Sequence, residues 1–472
     1  MLFQTPEFGL LFAATLIAFY LLARSHRLQV LALASLTFYA ASGLLDFMLL
    51  VGTILLTYAL SKRVNPHRGK WPIYVAVVLL IGSLAYFKYG DFAYQNLRVA
   101  LGGATWLDRP GFLATILPLG ISFYTFQIVS YFIDLYRDRT ERAESLLQFT
   151  VFVTLFAQLI AGPIMKGRDF LPQISALRGA TGPEFRAGAL LVLVGLFKKV
   201  VLADSIAQRV DARFAAASFT QPEAWIASAL FAFQIYFDFS GYVDIALGLG
   251  KMVGFKLTEN FMTPYLARNA SEFWGRWHIT LSNWFREYLY IPLGGNRLGR
   301  WREVFNLMLV MGIAGLWHGA GWTFVLWGLI HGFYLAVQRF LPSQQLQALL
   351  PVPNKYKSYA YQAIGIAVMF NLIVLAWIPF RAEDLPTTMD MFGAIVSFEG
   401  AGGWVSEAPW LGVVGFLFGL HVLERLVKEN RSKSLEFWSY VPPVGRGVAY
   451  AGLLLSVLAF AESNQSFIYF RF

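Results

Sequence analysis

The sequence predicts an all-α polytopic membrane protein of roughly 11 to 13 membrane helices or half-helices, with its N-terminus outside. Three observations predict it. Of 472 residues, 57% are hydrophobic and only 14% charged, the mean hydropathy is +0.54, and apolar stretches recur along the chain with basic loops between them. About a dozen spans of about 20 residues would occupy some 240 positions. That leaves no polar segment long enough for a separate soluble domain, so residues 1–472 are expected to form one domain.

The first stretch, Phe8 to Leu22, has no basic residue before it and is followed by Arg24, His26 and Arg27. This is the reverse of a signal peptide and places the N-terminus outside. Leu28 to Leu45 and Phe47 to Leu60 form a pair around Asp46 and end at the run Lys62, Arg63, His67, Arg68 and Lys70, which is therefore inside. Trp71 to Phe87 returns outward, Leu101 to Gly111 reads as a glycine-rich turn, and Phe112 to Leu135 crosses back to Arg137, Arg139 and Arg142. Asp134, at the end of that span, is expected to be an interfacial anchor pairing with a local arginine.

Further apolar stretches lie at Phe149 to Ile164, Ala187 to Leu202, Ala224 to Leu249, Val304 to Trp317, Trp322 to Gln338, Tyr359 to Trp377, Trp410 to Leu426 and Arg446 to Phe460. Several are short or broken by Gly and Pro, as expected of re-entrant or broken helices. Lys198 and Lys199 are expected to snorkel. The segment Lys251 to Arg302 mixes aromatic residues with Arg268, Arg276, Arg286, Arg297 and Arg300, and its apolar runs are too short to span. Amphipathic helices at the interface or folded into a cavity are expected there.

The chain has no Cys, which excludes disulfides, thiolate metal ligands and a thioester-forming nucleophile. The net charge of +10 reflects inward-facing basic loops rather than nucleic-acid binding. There is no Walker A motif and no dinucleotide fingerprint, so ATP-driven transport and nicotinamide chemistry lack support.

Three of six histidines fall within 54 positions: His278, His318 and His331. Imidazole exchanges protons near pH 7, and a polar group at membrane depth is either paired or functional. His318, in GLWHGAGWTF, is the candidate catalytic residue. His278 follows Trp274 by four positions, which would set both on one helical face, and it is the second candidate; His331 reads as helix packing. No HExxH or equivalent spacing supports a metal. Asp238 and Asp244, in YFDFSGYVDIALG, are carboxylates in an apolar segment and must be paired, hydrogen-bonded or water-exposed. They are candidates for orienting the histidines or pairing with Arg276. LIAGPIMKGRDFLPQ breaks a span and then supplies Lys166 and Arg168, either as a site for an anionic acyl carrier or a phosphate or as an inside-facing stop.

Five segments carry a resemblance: AGPIMKGRDFLPQ from Ala161, YFDFSGYVDIALG from Tyr236, NFMTPYLARNASEFWGRWHITLSNWFREYLYIPLGGNR from Asn260, GLWHGAGWTFVLWGLIHG from Gly315, and the closing FIYFRF. In this order they resemble the bacterial polysaccharide branch of the membrane-bound O-acyltransferase family, along nearly the whole chain. The resemblance implies helices around a central tunnel, with His318 in the catalytic position and His278 as the histidine of the FWxRWH element. It implies O-acetylation of an exported polysaccharide such as alginate at the bacterial inner membrane. The donor is then cytoplasmic, acetyl-CoA, with no tightly bound cofactor, and the implied partner is a periplasmic or membrane-anchored acetyltransferase of the SGNH type. On position alone, His278, Arg276 or the Trp317 indole would meet the developing oxyanion. The competing expectation is a transporter or channel component of a polysaccharide export complex, which broken helices and intramembrane carboxylates also fit.

Overall fold

The computed structural model describes residues 3–65, 69–102, 117–341, 353–397, 400–461 and 467–468, and the described residues contain helices and no strands. The turn expected near Leu101 to Gly111 lies largely outside the described residues. Backbone contacts group the chain into two compact units, residues 1–195 with 242–258, and residues 196–241 with 259–472.

In the first unit the helices are α1 (Pro6–Leu21), α2 (Arg27–Ala40), α3 (Leu44–Ser61), α4 (Trp71–Ala100), α5 (Ile121–Tyr136), α6 (Leu146–Thr154), α7 (Gly167–Ser175) and α8 (Gly182–Leu196). Local chemistry sets their ends. The Thr5 side chain accepts the Phe8 N–H and Pro6 occupies the first turn of α1, while Ser145 caps α6 through Gln148 N–H. Asp46 lies in the first turn of α3, not in the turn before it. Phe8 and Phe38 pack edge to face, and Phe3 stacks on Tyr242.

The stretch Phe149 to Ile164 is only half helical. After α6 the chain unwinds from Leu155 to Lys166, yet Leu155, Ala157, Leu159, Ala161 and Met165 are all buried. Backbone that leaves the regular helix in such a place needs side-chain partners. Gln127 and Gln158 each place Nε2 2.6 Å from Phe152 O, and Ser35 Oγ accepts the Phe156 N–H. Gly120 allows the close approach: with φ of +71°, a Cβ there would lie 2.7 Å from Leu159 O.

In the second unit a π-helical segment (Phe197–Ala203) leads into α9 (Asp204–Phe214). The following helix, α10 (Gln221–Met252), has its apolar 18-residue window wholly buried; its residues to Gly241 group with the second unit and those from Tyr242 with the first. Then come α11 (Ala270–Trp274), α12 (Ile279–Phe285), α13 (Arg300–His318), α14 (Trp322–Phe340), α15 (Asn354–Arg381), α16 (Leu385–Ser397), α17 (Ala408–Glu429), α18 (Arg431–Tyr440) and α19 (Pro443–Phe460). Segment 251–302 is buried in its middle and exposed toward its end: Tyr265, Phe273, Trp277 and His278 are each at most 1% exposed, whereas Ile291, Leu298 and Trp301 are exposed.

Among the described residues six helices are long and apolar enough to cross a membrane: α3, α4, α10, α15, α17 and α19. Their exposure is that of a lipid-facing protein. Val405, Phe416 and Leu423 around α17, and Val444 and Leu455 on α19, stand at least half exposed, which apolar side chains do when the solvent is hydrocarbon.

α13 and α14 form a tight antiparallel hairpin through glycine. A Cβ on Gly315 would lie 2.1 Å from Phe324 O, and one on Gly328 2.2 Å from Met311 O. Such small-residue contact lets two helix backbones nearly touch.

Candidate active site

His318 is the last residue of α13 and 4% exposed. Extended backbone from Gly319 to Gly321 turns the chain into α14, and a Cβ on Gly319 would overlap the Phe324 ring. The hairpin thus brings α14 back over the histidine. The His318 ring lies 4.9 Å from Trp327, 5.0 Å from Trp317 and 5.3 Å from Phe380, centroid to centroid.

His278 is fully buried and joins the same aromatic cluster, 6.2 Å from Trp317 and 4.8 Å from Phe239. Trp317 therefore touches both imidazoles. The expected helical face shared by His278 and Trp274 is not formed. α11 ends at Trp274, and His278 sits in the break before α12 with φ of +42°. A non-glycine residue in this left-handed region persists only where its surroundings over-determine it. Buried Asn260 does so by accepting the Thr280 N–H at 2.9 Å and the Thr280 hydroxyl at 2.7 Å through Oδ1, while its carbonyl accepts from Ile279.

His331 is buried one turn along α14 from Trp327, stacked at 10° on Phe273 and 5.1 Å from Trp274. Neither ring nitrogen has a hydrogen-bond partner among the described residues, in keeping with a packing role.

The other expected site residues go different ways. Asp238 pairs with Lys199 at 2.8 Å, and Lys199 also holds Asp204 at 2.6 Å. Arg276 is taken by Glu272 at 2.6 Å, which also binds Arg268 at 2.8 Å. Burial alone would raise the Glu272 carboxyl, but the Arg268 hydrogen bonds and the Arg276 charge hold it below the usual range. Asp244, Lys166 and Arg168 belong to the first unit. There Lys166 immediately precedes α7, and Arg168 lies 3.7 Å from Asp134. Asp134 has no exposed surface, so it is a buried partner of α7 rather than an interfacial anchor.

Lys198 and Lys199 do not snorkel. They lie on the π-helical segment, a widened turn often found at functional positions, and both side chains turn inward with 9% and 4% exposure. Lys198 binds Glu424 at 2.7 Å, and Glu424 also accepts the Tyr236 hydroxyl and the Lys428 ammonium. Beside it His421, fully buried, accepts the Tyr265 N–H at Nε2. This network went unread in the sequence. Its signals were two adjacent lysines in an apolar stretch and a His–Glu pair three apart in α17, all of which need partners at membrane depth. Among the described residues no group of three or more His, Asp or Glu is placed to hold a metal ion.

Long apolar helices with exposed hydrocarbon side chains, together with imidazoles buried among aromatic rings, define a multi-pass membrane protein with a buried polar site. The MBOAT model, for the membrane-bound O-acyltransferase family, matches residues 31–376, and the chain belongs to that family. It is 38% identical to "Probable alginate O-acetylase AlgI" of Pseudomonas aeruginosa, over 90% of this chain and 80% of that protein. The same name and identity apply to a Pseudomonas syringae protein, with 86% and 76% covered. Peptidoglycan O-acetyltransferase of Helicobacter pylori is 36% identical, over 85% of this chain and 80% of its own length. The protein is a membrane acyltransferase.

Proposed function

We propose that the protein is an inner-membrane O-acetyltransferase that takes an acetyl group from cytoplasmic acetyl-CoA and passes it outward for modification of an exported polysaccharide, alginate being one such polymer. Its N-terminus is outside, and roughly 11 to 13 helices or half-helices surround a tunnel. One observation carries the reading: His318 and His278, the two histidines of the family motifs, are buried on the same Trp317 ring. A water-poor aromatic setting suits acyl transfer, because it keeps the thioester from hydrolysis and strengthens each polar contact near the reacting carbon.

In the reaction the acceptor hydroxyl gives its proton to His318 as its oxygen bonds to the thioester carbonyl carbon. The tetrahedral intermediate then expels the thiolate, which takes the proton back from the imidazolium, leaving an ester and a free thiol. His278 and the Trp317 indole are the donors nearest to hand for the oxyanion. Arg276, held by Glu272, acts at most through that pair. The exposed Arg286, Arg297 and Arg300, in the basic segment Lys251 to Arg302, supply positive charge for the donor's phosphates. The acetyl group reaches the glycan through an SGNH-type partner.

The test is transfer of labelled acetyl from acetyl-CoA in proteoliposomes with the SGNH-type protein and glycan, comparing wild type with His318→Ala and His278→Ala at equal folded protein. Loss of label in His318→Ala supports the reading. Full transfer without His318 removes it as the base, and a glycan carried across with no acetyl-CoA consumed favours a transport component instead.

A further inference from the structure

Beyond the histidines, the most enclosed charge cluster is Lys199, Asp204 and Asp238, with side chains 4%, 3% and 4% exposed. Two carboxylates share one ammonium there. Lys199 bridges Asp204 Oδ1 and Asp238 Oδ1, which leaves Asp238 Oδ2 to act elsewhere. It accepts the backbone N–H of Ile468 at 2.7 Å, a partner 230 residues away and four from the end of the sequence. Charge-assisted bonds of this kind, shielded from water, are among the stronger positional restraints available to a chain end.

The neighbouring residues make the same connection by packing. Phe467, 1% exposed, lies 5.7 Å from Phe239, and Phe239 lies edge to face on His278 at 4.8 Å. Consecutive residues of α10 thus grip consecutive residues of the C-terminal segment, one by its carboxylate and one by its ring. The ring they brace is the imidazole whose backbone is held in the left-handed region.

We propose that the Lys199–Asp204–Asp238 cluster is a latch for the C-terminal segment, and that Asp238 is a positioning residue: by fixing Ile468 it seats Phe467 against Phe239 and so sets the His278 ring. The inference rests on the acyltransferase reading above. It gives Asp238 a task distinct from orienting a histidine directly, and it makes Phe467 a wall of the site.

The experiment uses the full chain with any affinity tag at the N-terminus, in the proteoliposome assay. Ile468→Pro removes the donated N–H, while Ile468→Ala keeps it and removes only side-chain bulk. Ile468→Pro is expected to lower kcat by about 30-fold or more with KM for acetyl-CoA changed by less than about twofold, and Ile468→Ala to cost no more than about threefold. Equal kcat for the two variants, or a Pro variant within threefold of wild type, overturns the latch. If the Pro variant does not fold, Asp238→Asn and Asp238→Leu decide: the amide still accepts from Ile468, so Asn is expected to retain about tenfold more kcat than Leu. Equal losses overturn the proposal. Wild type and His318→Ala run alongside, so failure of the acyltransferase reading shows as no acetyl transfer in wild type, separately from failure of the latch.

Discussion

Replacing Gly315 with alanine tests whether the α13–α14 hairpin sets the site. The new Cβ would lie 2.1 Å from Phe324 O, whereas an ordinary carbon–oxygen contact is about 3.3 Å. The helices must separate by about 1.2 Å at that level, since the obstacle is backbone and not a movable side chain. His318 lies one turn further along α13, and its 4.9 Å contact with Trp327 spans the two helices. A displacement of this size near reacting groups costs on the order of 100-fold in rate, and overpacking costs about 1–3 kcal/mol in stability. Gly312→Ala is the control, because its Cβ would meet only the Leu329 side chain at an ordinary 3.7 Å. The assay is labelled acetyl transfer in proteoliposomes, with thermal unfolding in detergent to show that both proteins are folded. If Gly315→Ala transfers acetyl within threefold of Gly312→Ala, the hairpin spacing does not govern His318 and the argument fails.

Other perturbations follow from the buried partners. Lys199→Met strands Asp204 and Asp238 without their cation and is expected to cost about 3–5 kcal/mol, read as a lower midpoint of thermal unfolding; an unchanged midpoint would show that the carboxylates are already neutral. His421→Phe keeps the ring packing but leaves the Tyr265 N–H without its acceptor, with an expected loss of about 1–3 kcal/mol in the same measurement. His331→Phe, at a site where no hydrogen bond is seen, is expected to leave acetyl transfer within about threefold of wild type, in contrast to His318→Phe; a loss matching that of His318→Phe would give His331 a part in the chemistry. The Glu272 carboxyl is held below its usual range, so its pairing with Arg268 and Arg276 contributes stability above about pH 4.5 and loses it as pH falls through the depressed value. Glu272→Gln should therefore lower the unfolding midpoint at neutral pH and converge with wild type in acid, and a constant gap across that range would contradict the assignment.

Much of this architecture is legible because lipid imposes a simple rule: a spanning segment must be apolar and hydrogen-bonded within itself. The long helices α3, α4, α10, α15, α17 and α19 follow that rule, and each lies on an expected apolar stretch. Leu155 to Lys166 is harder to read. Its composition is as apolar as a helix, and only the glutamine donors reaching Phe152 O, one of them from α5, reveal why the chain can unwind there. The histidines of the aromatic cluster were found by residue type and motif, but the backbone reversal at His278 was not. A spacing of four from Trp274 suggests a common face only if the helix continues, and here tertiary bonds from Asn260 hold a break. The lysines misled for a related reason. Adjacent cations near the end of an apolar stretch fit snorkelling equally well until Glu424, Asp204 and Asp238 are placed beside them, and no local pattern encodes partners so far along the chain.

The pairing of Lys198 with Glu424 also sets an order of biogenesis. Lys199 meets its first carboxylate five residues later, but 226 residues separate Lys198 from its own. At roughly 5–20 residues per second, the ribosome needs about 10 to 45 s to supply α17. During that interval the Lys198 ammonium has no Glu424 to pair with. A nascent chain halted before Glu424 would thus carry an exposed mark of incompleteness, readable by membrane quality-control proteases, that synthesis of α17 erases.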